Sequence, residues 1–280
     1  MINLKSIDAD IKKLPFTVDS GAGERARIGL LVLESDQSLE WEMRQITNIS
    51  GVSVYHSRLA NDAIVTSTNL AMMEEQLPVA AKLLPDYLNL SSIGYGCTSA
   101  STIIGEDKVS EILNNFHPDV PSTNPLTAAK VAFESLNISK IALLTPYAPD
   151  VTAAIQEKFN EAGITVALVG SYYEEDDKVV GRIDEESILQ SVISLGLNES
   201  CDGVFISCTS LRALNIIEKA ERVIGKPVTS SNHALAWHLL RLAGIDDILD
   251  VFDIDVDINI DTELIIKYLN LYQDRTKIWP

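Results

Sequence analysis

Two stretches decide the fold: RIGLLVLESD (27–36) is echoed by KIALLTPYAP (140–149), and GYGCTSAS (94–101) is echoed by FISCTSLR (205–212). The offset is 113 residues for the first pair and 111 for the cysteines Cys97 and Cys208. A third correspondence, at 107 residues, joins NPLTAAKVAFESLNI (124–138) to a helical stretch ending LRLAGI (240–245). Self-similarity at a fixed spacing marks a repeated structural unit. Two similar units are therefore expected to face each other.

Each unit has its own alternation. Short apolar runs rich in β-branched residues, at 27–33, 52–58, 91–96, 140–146, 164–172 and 202–207, read as strands. Longer segments of helical period lie between them, such as VTAAIQEKFNEAGI (151–164), which stops at Gly163. Strands alternating with helices give a parallel sheet with crossover helices. The predicted class is α/β: two similar Rossmann-like (flavodoxin-like) parallel-sheet domains related by a pseudo-twofold axis. Residues 1–26 read as a polar extension. The predicted division is 27–123 plus 229–280 for the first domain and 124–228 for the second. DVFDIDVDINID (250–261) alternates acids with apolar residues and reads as a strand with one wet face, not as a calcium loop, which needs a glycine at its sixth place.

Composition narrows the function. Of 280 residues 46% are hydrophobic, and 22 basic side chains against 40 acidic ones leave a net charge of −18. That balance repels phosphate backbones, so a nucleic-acid partner is not expected. No apolar run approaches the ~20 residues of a membrane helix, and the N-terminus has no apolar signal core, so the expected location is the cytoplasm, away from membranes. Three cysteines without a CxxC pair, and four histidines away from them, suggest neither a disulfide framework nor a metal centre. No GxGxxG follows a strand and no phosphate loop is present, so no cofactor is expected. A homo-oligomer is the expected assembly.

The chemistry-bearing residues fall at strand ends. Cys97-Thr98-Ser99 and Cys208-Thr209-Ser210 each stand where a predicted strand stops and a helix is expected to begin, at the sheet edge where open α/β folds hold ligands. Free N–H groups at a helix start attract carboxylates and lower a thiol's pKa. Thiols from equivalent positions would approach one ligand from opposite sides. One thiolate can then remove a proton from carbon while the other thiol supplies one to the opposite face. Alternatively, a thiol adds to a double bond, allows rotation and leaves. Both chemistries remain open at this point. Asp36 and Tyr147 occupy equivalent places after the first strand of each unit: Asp36 suits an ammonium group or a helix cap, and Tyr147 suits a carboxylate. Asp177, in the acidic run 174–177, is a further candidate. Cys201 has no counterpart in the first unit and reads as structural; His233 and His238 read as packed or capping residues.

The stretches RIGLLVLES, GYGCTSAS, LLTPY, VVGRID, FISCTSLRAL and PVTSSNHALAWHLLRLAG, spanning Arg27 to Gly244, resemble the aspartate/glutamate racemase superfamily. They resemble in particular its maleate cis-trans isomerase branch, with arylmalonate decarboxylase and the ectoine-utilisation proteins nearby. The resemblance implies an active site between two α/β domains, with no metal or organic cofactor. It implies Cys97 and Cys208 as the two catalytic thiols, Tyr147 as a contact to a substrate carboxylate, and Thr98, Ser99, Thr209 and Ser210 as carboxylate donors. Arylmalonate decarboxylases keep only the second cysteine, so the pair favours an isomerase or racemase. Where the maleate isomerases place an asparagine, this chain has Asp36, which favours a substrate with an amino group. The expected substrate is a small carboxylate, an amino acid or its derivative, with maleate isomerisation and non-catalytic binding as alternatives.

Overall fold

The computed structural model describes residues 12–247. The acidic stretch 250–261 and the first eleven residues lie outside them. The first half runs β1 (Ala26–Leu33), α1 (Leu39–Ile46), β2 (Val52–Leu59), α2 (Ser67–Met72), α3 (Leu77–Lys82), β3 (Ser92–Gly96), α4 (Thr98–Ile104), α5 (Glu106–Phe116) and β4 (Ser122–Thr123). The second runs α6 (Pro125–Leu136), β5 (Lys140–Thr145), α7 (Pro149–Glu161), β6 (Thr165–Ser171), α8 (Asp177–Val180), α9 (Glu185–Gly196), β7 (Gly203–Ile206), α10 (Ile217–Ile224), β8 (Val228–Ser230) and α11 (Ser231–Leu242).

Two four-stranded parallel sheets result, ordered β2-β1-β3-β4 and β6-β5-β7-β8. Strand for strand the second order is the first shifted by four, so the repeat read from the sequence is a repeat of architecture. Both orders place the chain-reversal point between the first and third strands of the half, the ligand-binding position of flavodoxin-like sheets. Central strands covered on both faces should be apolar throughout; Ile28 and the run Leu30–Leu33 are buried in β1, as is Ile141–Leu144 in β5. Two short strands, β4 and β8, escaped the sequence reading; at two and three residues they carry no apolar run of their own.

The halves exchange helices. After β4 the chain crosses to the second sheet, where Phe133 of α6 meets Phe159 of α7 and Phe205 of β7 at ring-centroid distances of 5.7 and 5.6 Å. After β8 it crosses back, and Leu235 and Leu239 of α11 lie against Gly94 of β3. The 107-residue correspondence is between these two crossing helices, and they end alike. Asn137 and Gly244 take positive φ of 54° and 73°, and Ile138 N donates to Phe133 O as Ile245 N does to Leu240 O, both at 2.9 Å. Positive φ at this position closes a helix by a left-handed cap.

Candidate active site

Both cysteine motifs emerge at the carboxyl ends of the third strands, Cys97 directly after β3 and Cys208 two residues after β7. The two thiols line one cleft, with Ser99, Tyr147, Asp177, Thr209 and Ser210. Two backbone hydrogen bonds clasp the halves together beside it: Val65 N to Glu175 O at 2.8 Å and Asp177 N to Ala63 O at 2.9 Å.

The two turns differ. Cys97 caps α4, its Sγ accepting from Ala100 N at 3.4 Å. Cys208 accepts from Ser210 N at 3.4 Å, yet no helix follows it. The chain turns through Thr209 and Ser210, and helical structure resumes only at Leu214. The expectation that a helix begins at each cysteine thus holds for the first and is corrected for the second, because Leu211, Ala213 and Leu214 are drawn into the core instead.

A lowered thiol pKa is not found. Burial pushes the Cys97 thiol up to about 11, against the opposing hydrogen bond from Ala100 N, and it pushes Cys208 up further. Asp177 adds to both shifts. Loss of hydration outweighs the N–H groups of the turn, so both groups stand as neutral thiols in the ligand-free protein. Burial also raises the Tyr147 phenol, which lies within electrostatic reach of both cysteines.

Asp177 accepts from Ser35 Oγ at 2.7 Å and from Ser210 Oγ at 3.3 Å; burial, and then Asp36 among other groups, pushes it up to about 6. Asp36 stands behind the cleft wall, 2% exposed. Its Oδ1 accepts from Ser38 N and Leu39 N, both at 2.8 Å, and so caps the start of α1. Its Oδ2 is buried without a hydrogen-bond partner; the neighbouring Thr209 hydroxyl is turned to the Gly96 carbonyl at 3.4 Å. Burial raises the Asp36 carboxyl, while those backbone N–H groups and Arg58 pull it down. Arg58 itself donates to the carbonyls of Leu33, Glu34 and Asp36 and pairs with Glu40. Among the described residues no Lys, Arg or His lines the cleft.

Thr98 is not brought to the cleft; its hydroxyl bonds Ser231 Oγ at 2.7 Å, and Ser231 Oγ also receives Cys208 N at 3.1 Å. Ser231 therefore joins the two cysteine turns. The histidines are packed: His233 and His238 bond Thr229 and Thr123 through Nδ1 at 3.1 and 2.9 Å, and burial lowers both to about 4. Cys201 Sγ is directed at the Asn198 carbonyl, 3.3 Å away, at the end of α9. Among the described residues no group of three or more His, Cys, Asp or Glu could hold a metal ion, and no helix is long and apolar enough to cross a membrane. The sequence reading missed Asn61, which lines the cleft, and Ser35, Ser38, Glu42, Ser231 and Asn232, which support it from behind. They are single polar residues within otherwise ordinary stretches, and only their long-range partners reveal them.

A cleft between two α/β halves of like strand order, with one thiol contributed by each, defines a class of pseudo-symmetric α/β proteins. The chain belongs to the arylmalonate decarboxylase family, whose model matches residues 74–251. The maleate isomerase of Nocardia farcinica is 27% identical over 224 residues, covering 77% of this chain and 89% of the relative. A solved structure of the Nocardia farcinica maleate cis-trans isomerase, a cysteine-to-serine mutant with a covalently bound succinylcysteine intermediate, is 26% identical. It superposes with a TM-score of 0.71, covering 79% of this chain and 93% of its own. The maleate isomerase of Pseudomonas putida S16, 20% identical, has the same fold, with a TM-score of 0.74 over 81% of this chain and 96% of its own. The fold class and the family resemblance read from the sequence are both borne out.

Proposed function

We propose that this protein is a cofactor-independent isomerase or racemase that moves a proton at the α-carbon of a small carboxylate bearing an amino group, with Cys97 and Cys208 as the two proton carriers. The observation that carries this reading is the cleft's lining: a thiol from each half beside the carboxylates of Asp177 and Asp62, with Asp36 behind the wall and, among the described residues, no cationic side chain. A dicarboxylate entering there adds negative charge to a site that already has Asp62 and Asp177 in its lining and Asp36 behind. A substrate ammonium near Asp177 and Asp36 offsets the charge that helps keep the thiols protonated, so binding itself would favour thiolate formation. The substrate carboxylate would be met by Ser99, Thr209, Ser210 and the Tyr147 phenol. One thiolate takes the α-proton and the opposite thiol returns one to the other face, the roles exchanging in the reverse direction. In this reading the cleft divides a first domain of 27–123 plus 229–280 from a second of 124–228, supported by α11 packing on β3 and α6 on β7.

The second reading is cis-trans isomerisation of maleate by thiol addition, favoured by the covalent succinylcysteine in the Nocardia farcinica isomerase. Proton NMR in D2O separates the two. With a pool of small amino acids and acylated diamino acids, loss of an α-proton signal that disappears in Cys97→Ala or Cys208→Ala supports the first reading. Conversion of the maleate vinyl signal to that of fumarate overturns it in favour of the second.

A further inference from the structure

We propose that Glu42 is the positioning residue of the second cysteine turn: with Asn232 it fixes the backbone of Thr209–Leu214, and thereby the place from which Cys208 faces the cleft. The inference rests on the reading that Cys208 acts there, and its test below needs no substrate.

The two halves lose their equivalence at this turn. After Cys97 the helical bonds of α4 absorb the backbone groups, beginning with Ser101 N to Cys97 O at 3.2 Å. After Cys208 no helix does so before Leu214, and buried backbone groups must find partners elsewhere. Glu42, on α1 of the other half and wholly buried, supplies them. Its Oε1 accepts from Ala213 N at 2.7 Å and Leu214 N at 2.8 Å. Its Oε2 accepts from Asn232 Nδ2 at 2.8 Å, and the same amide nitrogen donates to the Thr209 carbonyl at 2.9 Å. At the 113-residue offset the second half has the apolar Ile155, so the device belongs to one turn only.

The chemistry of the pair explains why a carboxylate stands there. Both Glu42 oxygens accept here, and once ionised, as at the pH of the test below, the carboxylate can only accept, so it fixes the Asn232 amide with its nitrogen toward both Glu42 and Thr209. Asn232 Oδ1 is left buried without a partner. Glutamine at position 42 keeps the shape and can still receive Ala213 and Leu214, but its own NH2 then meets the NH2 of Asn232. Turning the Asn232 amide over relieves that clash and sets its oxygen against the Thr209 carbonyl, releasing the turn.

The test uses the intact, ligand-free chain as wild type, Glu42→Gln and Asn232→Ala. Iodoacetamide alkylation at pH 8.5 is followed separately at Cys97 and Cys208 by peptide mass spectrometry, with amide hydrogen exchange measured over the 209–214 turn. The expected result in both variants is alkylation of Cys208 at least fivefold faster with Cys97 within twofold of wild type, and exchange in the turn at least tenfold faster. In any substrate assay kcat should fall at least tenfold while KM stays within threefold. A folded Glu42→Gln protein whose Cys208 rate is within twofold of wild type overturns the proposal, as does an equal acceleration at both thiols. If Glu42→Gln does not fold, the ratio in Asn232→Ala decides. Failure of the isomerase reading is distinct: wild type would turn over no substrate while the Cys208 response persisted.

Discussion

In the proposed reaction Cys97 and Cys208 meet opposite demands at one atom each: a sulfur that would have to ionise to act is held where water, which would stabilise the ion, has been removed. Replacing either by alanine should cost ~10²–10⁴-fold in kcat, the usual worth of a positioned acid or base, as read by loss of the α-proton signal. Asp36→Asn, which removes a charge that would attract the substrate ammonium through the cleft wall, should raise KM for an amino-acid substrate severalfold; unchanged binding would remove Asp36 from substrate recognition. Glu42 gives a pH signature. Burial, with Asp36 adding to it, pushes its carboxyl up to about 7 against the bonds from Leu214, Asn232 and Ala213. The folded protein thus keeps a proton that the unfolded chain sheds near the usual ~4.3. Its contribution is fully present below that value and is lost as pH rises through about 7. Between pH 5 and 8 the Tm of Glu42→Gln should therefore rise relative to wild type, read by differential scanning calorimetry. Cys97, Cys208 and Tyr147 were legible as site candidates because two repeats place them at strand ends, and Asp177 only as one member of an acidic run. Glu42 and Asn232 were not, since each becomes informative only through a partner some 170–190 residues away.

At the scale of elements, the repeat made six of the eight strands among the described residues, and the crossing helices, readable, because buried parallel strands and amphipathic helices each write their period into the chain. What it could not convey was where the repeat fails. CTS occurs twice, each time at the end of a strand, yet one copy opens a helix and the other a turn. The difference lies in the residues that follow: SASTII continues a helix from Ser99, whereas LRALN sends Leu211, Ala213 and Leu214 inward. β3 shows how closely the elements approach next to the first thiol. A methyl at Gly96 would lie 2.2 Å from Leu39 Cδ2 of α1 and 3.0 Å from the Leu31 carbonyl. Gly96→Ala should destabilise by about 1–3 kcal/mol through overpacking. Urea unfolding should show it as a lower midpoint at unchanged slope.

At the scale of the whole molecule, the aromatic cluster of Phe133, Phe159 and Phe205 ties the crossing helix α6 to the second sheet. Phe133→Ala should cost about 3–5 kcal/mol. The loss should appear as one lowered calorimetric transition, since each sheet depends on a helix reached through the other; two separated transitions would show the halves to be independent. The exchange also sets an order of events at the ribosome. The face of β3 around Gly94 is covered by α11, which ends at Leu242, 146 residues after Gly96. At about 5–20 residues per second that interval is roughly 7–30 s. Throughout it the first sheet waits with an apolar face open. The nascent chain is thus obliged to defer completion of its first half until its second has been synthesised, and it is during this wait that a chaperone, or a neighbouring chain, has its opportunity.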